Sequence, residues 1–296
     1  MPERPGTGTA PSAGETLRTR DGLTLHVEPF PTAGPPIAVC VFIHGFSAYC
    51  EPYRPLAAAL TRAGVAATLF DVRGHGRSEG RHGYVQRFSD YLDDLALIVA
   101  HARAAAPPNT PLALVGHSHG ALIALDYLGS PGCAVDALVL ATPFLALQIP
   151  VPRAKLVLGR LLNRVWPTLA LDNEVRGPHV SRTPEVVATF DTNPHIHHVA
   201  TPRWYSAATA AQARVIAAAP RLEVPTLLLI AGEDRIASNE ASRSFAQAAG
   251  DRVEIKRYDG LFHEVFLEPE RDQVIDDVVR WIVARAERAR ILGVSP

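Results

Sequence analysis

Continuous apolar runs alternate with helical segments along most of this chain of 296 residues. Runs of the length of a buried strand occur in IAVCVFIHG, VAATLFDV, LALVG, VDALVLA, TLLLIAG and VEIKRYD. Helical segments lie between several of them, including YRPLAAALTRAG and DYLDDLALIVAHARAAA, and DQVIDDVVRWIVARAERA follows the last. Strands that are apolar on both sides are typical of parallel sheets covered by helices. The alternation therefore predicts an α/β fold with a mostly parallel central sheet and helices on both faces.

One long segment interrupts this alternation and predicts a second structural unit. Between 146 and 215 there is no strand-like run, only short helical pieces separated by prolines. We expect 146–215 to be a helical cap (lid), and 15–145 together with 216–296 to form the core. Residues 1–14 are rich in Pro, Gly, Thr and Ser, which predicts a flexible N-terminal tail. After the tail, TLRTRDGLTLHV predicts a β-hairpin that turns at Asp21–Gly22.

The composition limits the function classes. The formal net charge is −1, which gives no electrostatic reason to expect a nucleic acid partner. The first residues lack the basic start and apolar stretch of a secretory signal, and no apolar segment has the length of a membrane span. The three cysteines form neither a CxxC pair nor a disulfide-dense pattern. We therefore expect a soluble, cytoplasmic protein.

The segment LALVGHSHGALIAL places Ser118 between a strand and a helix, with Gly116 and Gly120 on either side. A nucleophile elbow requires this context, because side chains at the flanking positions would obstruct the close approach of strand and helix. The alternative is a tight turn with an incidental serine. A serine hydroxyl becomes a good nucleophile only when a base and an orienting acid activate it, so the decision depends on finding both.

Candidates for these partners lie farther along the chain, in the order that the elbow architecture requires. Asp234 follows the strand TLLLIAG, and His263 lies in the loop after VEIKRYD. Both positions are at the strand ends where ligands bind in open α/β sheets. Glu233, Asp259 and Asp71 compete for the role of the acid, whereas His263 is the only histidine that follows the acid. These positions predict a Ser-His-Asp triad with the elbow serine as nucleophile.

Hydrolysis by such a triad also needs N–H donors directed at the developing oxyanion. The backbone N–H of His119, directly after the nucleophile, is one candidate. The other should lie in the loop after VCVFIHGF, where Phe46 is the best-placed donor. We interpret His44, just before that turn, as a structural hydrogen-bonding residue, with a second base as the alternative.

A series of motifs runs through FIHGF, DVRGHGRSEGRHGYVQRFSDYLDDL, GHSHG, ATPFL, VSRTPEVVATF, NPHIHH, PTLLLIAGEDRIAS and YDGLFHEVFLEP. Together they cover nearly all of 15–285 and resemble the monoacylglycerol lipase and lysophospholipase group of α/β-hydrolases. The resemblance implies an α/β-hydrolase fold with a cap over the active site. It also implies a triad at Ser118, Asp234 and His263 and oxyanion donors at Phe46 and His119.

Two departures from the family pattern bear on the substrate. His119 stands where family members often have a methionine, and Phe46 is followed by SAYCEPY rather than by a Gly-Glu-His run. The Glu and His that could shape the glycerol end of the pocket in the family are therefore absent. The departures weaken the case for monoacylglycerol as the preferred substrate and leave the triad unaffected.

The expected cap contains an amphipathic segment, VPRAKLVLGRLLNRVW. Helical spacing puts Leu158, Leu161, Leu162, Val165 and Trp166 on one side and Arg153, Arg160 and Arg164 on the other. One hypothesis is a lid helix that contacts a membrane or lipid aggregates, which would make the protein peripheral at a membrane. The other is a helix whose apolar side packs on the core.

The remaining polar motifs are interpreted as structural. His195, His197 and His198 lack the ligand spacing and the additional ligands of a metal site. The RGHGRS segment lacks the GK[ST] ending of a phosphate loop. We therefore expect no cofactor and no metal, and a small lipid or ester substrate as the partner.

The sequence thus predicts a serine hydrolase that cleaves carboxylic esters of lipids, either a monoacylglycerol lipase or a lysophospholipase. One alternative is a short- to medium-chain carboxylesterase. Another is a proline-iminopeptidase-like peptidase, in which Glu174, Glu185 or Asp191 would anchor the substrate amine. Outside the enzymes, the alternative is an inactive hydrolase fold that serves as a ligand receptor.

Overall fold

The computed structural model describes residues 14–149 and 151–292. Its strands are β1 (Glu15–Arg18), β2 (Thr24–Phe30), β3 (Ala38–Ile43), β4 (Val65–Phe70), β5 (Leu112–His117), β6 (Ala137–Ala141), β7 (Leu171–Asp172), β8 (Val199–Ala200), β9 (Thr226–Ala231) and β10 (Val253–Tyr258). Its helices are α1 (Arg54–Arg62), α2 (Ser89–Ala104), α3 (His119–Tyr127), α4 (Arg153–Val165), α5 (Gly177–Val180), α6 (Pro184–Thr192), α7 (Pro202–Ala218), α8 (Asn239–Ala249) and α9 (Arg271–Leu292).

Eight of these strands form one sheet in the order β1-β2-β4-β3-β5-β6-β9-β10. β2 is antiparallel to both of its neighbours, and the other neighbouring pairs are parallel. Buried side chains cover both faces, since Val41 of β3 packs in one apolar cluster with α2 and α3, and Cys40 packs in the other with α1 and α9. This sheet confirms the predicted α/β class, and burial on both faces explains its continuous apolar strands.

The hairpin of β1 and β2 is present where the sequence predicts it, with Gly22 at φ 90°. The segment between β6 and β9 contains α4 to α7, and also a small sheet in which Leu171 pairs with Ala200. This small sheet is compatible with the absence of a strand-like run between 146 and 215, because two-residue strands leave no periodic pattern in a sequence. Residues 1–13 of the predicted tail lie outside the described residues. No helix in 14–149 or 151–292 combines the length and the apolar character needed to cross a membrane.

Candidate active site

Ser118 lies in a sharp turn between β5 and α3. Its backbone has φ 51° and ψ −112°, a conformation that is rare for a residue with a side chain. A Cβ added to Gly116 would lie 2.6 Å from Ala121 Cα. A Cβ added to Gly120 would lie 2.1 Å from Ile43 O. The turn therefore exists only because neither flanking position carries a side chain, which is the geometry of a nucleophile elbow.

His263 and Asp234 form a buried pair in the loops that follow β10 and β9. The His263 Nδ1 lies 2.8 Å from Asp234 Oδ2 and 3.0 Å from Oδ1. Asp234 Oδ1 also accepts the backbone N–H groups of Ile236 and Ala237, at 2.8 and 2.9 Å. The carboxylate is thus fixed in place, and it holds the imidazole proton on Nδ1, which leaves Nε2 as the basic nitrogen.

Two opposing effects set the pKa of His263. Burial disfavours the charged imidazolium, whereas the carboxylates of Asp234 and Glu264 favour it. The carboxylates outweigh burial, so the pKa of His263 lies above its ordinary value. The site therefore stabilises the protonated imidazole that a general base becomes after it accepts a proton.

Ser118 and His263 line the same cavity, but within the described residues no hydrogen bond joins the serine hydroxyl to the imidazole. In substrate-free hydrolases this bond is often long and shortens only when the substrate is bound. The two groups thus share one site without the direct bond that the complete triad would have.

The competing acids have other positions or partners. Asp71 accepts two backbone N–H groups, at 2.7 and 2.8 Å, and Asp259 pairs with a neighbouring arginine at 2.7 Å. Glu233 lines the cavity without a contact to the imidazole. Among the described carboxylates, only that of Asp234 makes a hydrogen bond with His263.

The backbone N–H groups of Phe46 and His119 donate to no group among the described residues. Nearby, the Nδ1–H of His44 donates to Gly45 O at 2.8 Å, and its Nε2 accepts the Val72 N–H at 2.9 Å. Both nitrogens of His44 are thus used within the fold, which confirms its interpretation as a structural residue. The two free N–H groups are available for an oxygen atom of a substrate.

A cavity of about 1180 Å³ opens beside these groups. Both the core and the segment between β6 and β9 form its wall. The apolar residues that line it include Phe144, Leu147, Leu156, Leu162, Val180, Phe190 and Trp204. A large, mainly apolar cavity beside the serine and the histidine suits a long aliphatic chain attached to a polar, reacting group.

The three carboxylates that the sequence suggests as anchors for a substrate amine do not converge in this cavity. Glu174 lines it but pairs with Lys155 at 3.6 Å, and Asp191 accepts the Gly177 N–H at 2.8 Å. Glu185 is exposed and lies outside the lining. This arrangement argues against a peptidase that binds a free amino group.

Four residues that the sequence did not single out support the loop of His263. Its carbonyl oxygen accepts hydrogen bonds from Thr142 Oγ1 at 3.0 Å and from His117 Nε2 at 3.1 Å. Glu264 accepts a hydrogen bond from Tyr53 Oη at 2.8 Å and lies 3.6 Å from His117 Nδ1. The available signal was positional, since His117 directly precedes the elbow serine and Glu264 directly follows the histidine.

Potential metal ligands come together at His26, Cys50 and Asp71, within 4.8 Å of one another. His26 Nε2 already lies 3.0 Å from Glu28 Oε1, and Asp71 is occupied by backbone N–H groups. Burial raises the pKa of the Cys50 thiol, which disfavours the thiolate that a metal ion requires. These contacts and the buried thiol explain the proximity of the three side chains by packing within the fold.

Comparison with known proteins finds a matching family model, similar sequences and a similar solved structure. Residues 34–270 match the family model described as serine aminopeptidase, S33. A monoacylglycerol lipase of Mycolicibacterium smegmatis is 32% identical over 251 residues, which are 84% of this chain and 89% of that protein. The phospholipase YtpA of Bacillus subtilis is 27% identical over 81% of this chain and 92% of its own. The crystal structure of Paleococcus ferrophilus monoacylglycerol lipase has a TM-score of 0.80 and 25% identity, covering 88% of this chain and 99% of that one.

Proposed function

Because the chain belongs to the serine aminopeptidase S33 family of α/β-hydrolases, we propose that it hydrolyses carboxylic esters of lipids through an acyl-enzyme on Ser118. The observation that carries this proposal is the buried His263–Asp234 pair, at 2.8 Å, in the same cavity as the strained serine turn. The names of the relatives, monoacylglycerol lipase and phospholipase, support a lipid ester as the substrate.

In the proposed reaction, His263 Nε2 takes the proton of the Ser118 hydroxyl while the oxygen attacks the ester carbonyl. Asp234 keeps the imidazole in the required tautomer and stabilises its charged form. The imidazolium then gives the proton to the leaving alcohol, and the acyl group stays on the serine. Water, activated by the same base, releases the fatty acid and restores the hydroxyl.

The carbonyl oxygen becomes negatively charged in both steps, and we assign its stabilisation to the backbone N–H groups of Phe46 and His119. Their lack of partners among the described residues supports this role. The His119 N–H begins α3, so the positive end of that helix dipole adds to the effect. These are backbone roles, which explains why a histidine can replace the methionine of other family members.

The apolar cavity favours a long acyl chain, and so either a monoacylglycerol or a lysophospholipid. The head group is less constrained, because the chain lacks the Gly-Glu-His run after Phe46. The missing run weakens the case for a glycerol ester, and a carboxylesterase for short- to medium-chain acids is therefore the second candidate.

We further propose that 146–215 is a cap on a core of 15–145 and 216–296, and that it contacts lipid surfaces. Five apolar side chains of the α4 region are exposed by 53 to 67%: Val157, Leu158, Leu161, Val165 and Trp166. Arg160 and Arg164 on the same helix are also exposed. An amphipathic helix of this kind, with cations beside an apolar face, is typical of attachment in the plane of a membrane interface.

Fatty-acid release from mono-oleoylglycerol, oleoyl-lysophosphatidylcholine and p-nitrophenyl butyrate tests the substrate class, with Ser118→Ala as the control. We expect turnover of at least one long-chain lipid, and the ratio of the two lipids identifies the head group. Turnover of the butyrate alone would show that the protein is a carboxylesterase for short acyl chains and not a lipase.

A further inference from the structure

Residues 46–49, named here the oxyanion loop, include the proposed donor Phe46. The Phe46 ring stacks on the indole of Trp204, with 3.8 Å between ring centroids and 25° between the planes. The His197 ring meets the same phenyl ring edge-on, with 5.0 Å between centroids. Trp204 and His197 both lie in the segment between β6 and β9, which is called the insertion from here on. The insertion therefore holds the side chain of the donor residue.

Two asparagines of the insertion extend this contact along the oxyanion loop. Asn173 Nδ2 donates to Ser47 Oγ, and Asn193 Nδ2 donates to Tyr49 Oη, both at 2.9 Å. In each asparagine, Oδ1 accepts the backbone N–H two residues further on, at 3.0 and 2.9 Å. Because each Oδ1 is engaged in a local turn, only the amide N–H₂ group faces the oxyanion loop. The local turn thus fixes the orientation of each asparagine side chain.

The oxyanion loop needs this support because its backbone is strained. Ser47 is a non-glycine residue with φ 58°, and only 2% of its surface is exposed. Such a conformation persists where the surrounding contacts determine it. The core fixes the residue after the loop, where the Cys50 N–H donates to Asp71 Oδ1 at 2.7 Å. The hydroxyl groups within the loop are held by the insertion.

Trp204 is itself fixed on the core at the start of α7. Its backbone N–H donates to Thr201 Oγ1 at 3.2 Å. The Thr201 N–H and Oγ1–H both donate to Gly83 O, at 2.9 and 2.8 Å. A Cβ on Gly83 would lie 2.3 Å from Val199 O, so the two segments are in close backbone contact. The backbone that carries the indole is thus held on the core, and only 5% of Trp204 is exposed.

We propose that Asn173, Asn193 and Trp204 are positioning residues that keep the oxyanion loop in its catalytic conformation. The inference rests on the proposed function, since it concerns the same oxyanion donor. Preorganised N–H donors stabilise the charged transition state more than the neutral ground state, so a displaced loop lowers kcat more than it raises KM. The insertion is then part of the catalytic machinery as well as a wall of the acyl cavity.

Trp204 also lines the cavity, so its variants must separate positioning from acyl binding. The measurement is kcat and KM for p-nitrophenyl acetate and p-nitrophenyl decanoate, normalised to active sites by burst titration. We expect Trp204→Ala to lower kcat by about tenfold on both esters, less than the hundredfold or greater loss on removing a donor outright. KM for the acetate should stay within about twofold, and Trp204→Phe should restore most of kcat because it keeps a stacked ring.

Tyr49 and Asn193 lie outside the cavity lining and give the cleanest second test. Tyr49→Phe removes only the hydroxyl that Asn193 holds, and we expect about a threefold loss of kcat on both esters, the effect of one hydrogen bond. The control for the Trp204 variants is Ile216→Ala, because Ile216 lies on the same helix as Trp204 and is 45% exposed. Its kinetics should be unchanged.

The outcomes separate this inference from the proposed function. If the wild-type protein hydrolyses neither ester, the proposed function fails and the inference fails with it. If the wild type is active and Trp204→Ala loses activity on the decanoate alone, Trp204 is only a wall of the acyl cavity. Unchanged kcat per active site in both Trp204→Ala and Tyr49→Phe would overturn the inference and leave the proposed function intact.

Discussion

The imidazole Nδ1 of His263 lies 2.8 Å from Asp234 Oδ2, and the two residues are only 4% and 5% exposed. Water cannot readily replace either partner, so the ion pair formed on protonation is not screened by solvent. This relationship fixes the tautomer of the histidine and raises its pKa at the same time. It therefore connects the geometry of the site to the pH at which the site can work.

We expect kcat/KM to fall in acid with a midpoint above pH 6.5, the ordinary pKa of histidine. In the proposed mechanism only neutral His263 can accept the serine proton, and its pKa is raised, so activity should be present above that pKa and lost below it. Glu264→Gln should move the midpoint to lower pH, because Glu264 contributes to the raised pKa. The check is kcat/KM for a soluble ester between pH 5 and 9. A midpoint below 6.5 in the wild type would contradict the assignment.

The histidines buried around the Phe46 ring should make the fold sensitive to acid. Burial lowers the pKa of His119 and of His197 to about 3, against 6.5 for a free histidine. The unfolded chain therefore binds protons that the folded chain excludes, so stability is complete above pH 6.5 and falls as the pH decreases. At pH 5 the loss is about 2 kcal/mol for each of the two histidines.

Urea denaturation at pH 7.5 and pH 5 measures this loss. The free energy of unfolding should decrease less for His119→Met than for the wild type, by about 2 kcal/mol, because methionine does not titrate. Equal decreases in the two proteins would show that His119 is not a source of the acid sensitivity.

Two glycines should respond in opposite ways to alanine. At Gly120 the added Cβ would lie 2.1 Å from Ile43 O, and backbone must move, so we expect a loss of about 3 kcal/mol or more in unfolding free energy. At Gly159, within α4, nothing lies within 4 Å of the added Cβ, and the helix should gain up to about 1 kcal/mol. Urea denaturation of Gly120→Ala and Gly159→Ala provides the comparison. Similar stability of the two variants would mean that the strand and helix do not approach closely at Gly120.

The exposed apolar face of α4 should govern binding to lipid surfaces. Replacing Leu161 and Val165 by serine removes side chains that are 58% and 67% exposed, so vesicle binding should weaken without a change in stability. Co-sedimentation with phosphatidylglycerol vesicles is the measurement. Ile255→Ser is the matched control, because Ile255 is 47% exposed on β10. Equal binding by the double variant and the control would exclude this face as the site of attachment.

The sequence predicts the sheet, and the positions of Ser118, Asp234 and His263 at its strand ends, because these depend on local patterns. A buried strand has an apolar run, and an elbow has glycines on both sides of the serine. The pairing of His263 with Asp234 follows from the order of the strands, since β9 and β10 are neighbours in the sheet.

The contacts of the insertion could not be predicted in the same way. Asn173 and Ser47 are 126 residues apart in the chain, and a hydrogen bond between them depends on how the insertion sits on the core. The side chain of an asparagine can hold a local turn, but nothing in the neighbouring sequence identifies the partner of its free amide. Similarly, the lowered pKa of His119 is a consequence of its burial, and the aromatic rings around it come from α2 and α7 as well as from the loop after β3.

The most direct test of the central claim is to identify the residue that a fluorophosphonate probe modifies, by mass spectrometry of the digested protein. The account predicts a single adduct on the Ser118 peptide, loss of mono-oleoylglycerol hydrolysis in proportion to labelling, and neither adduct nor hydrolysis in Ser118→Ala. Hydrolysis that persists in Ser118→Ala would contradict the proposed nucleophile. A wild-type protein that is neither labelled nor active would instead be a hydrolase fold that binds its ligand without cleaving it.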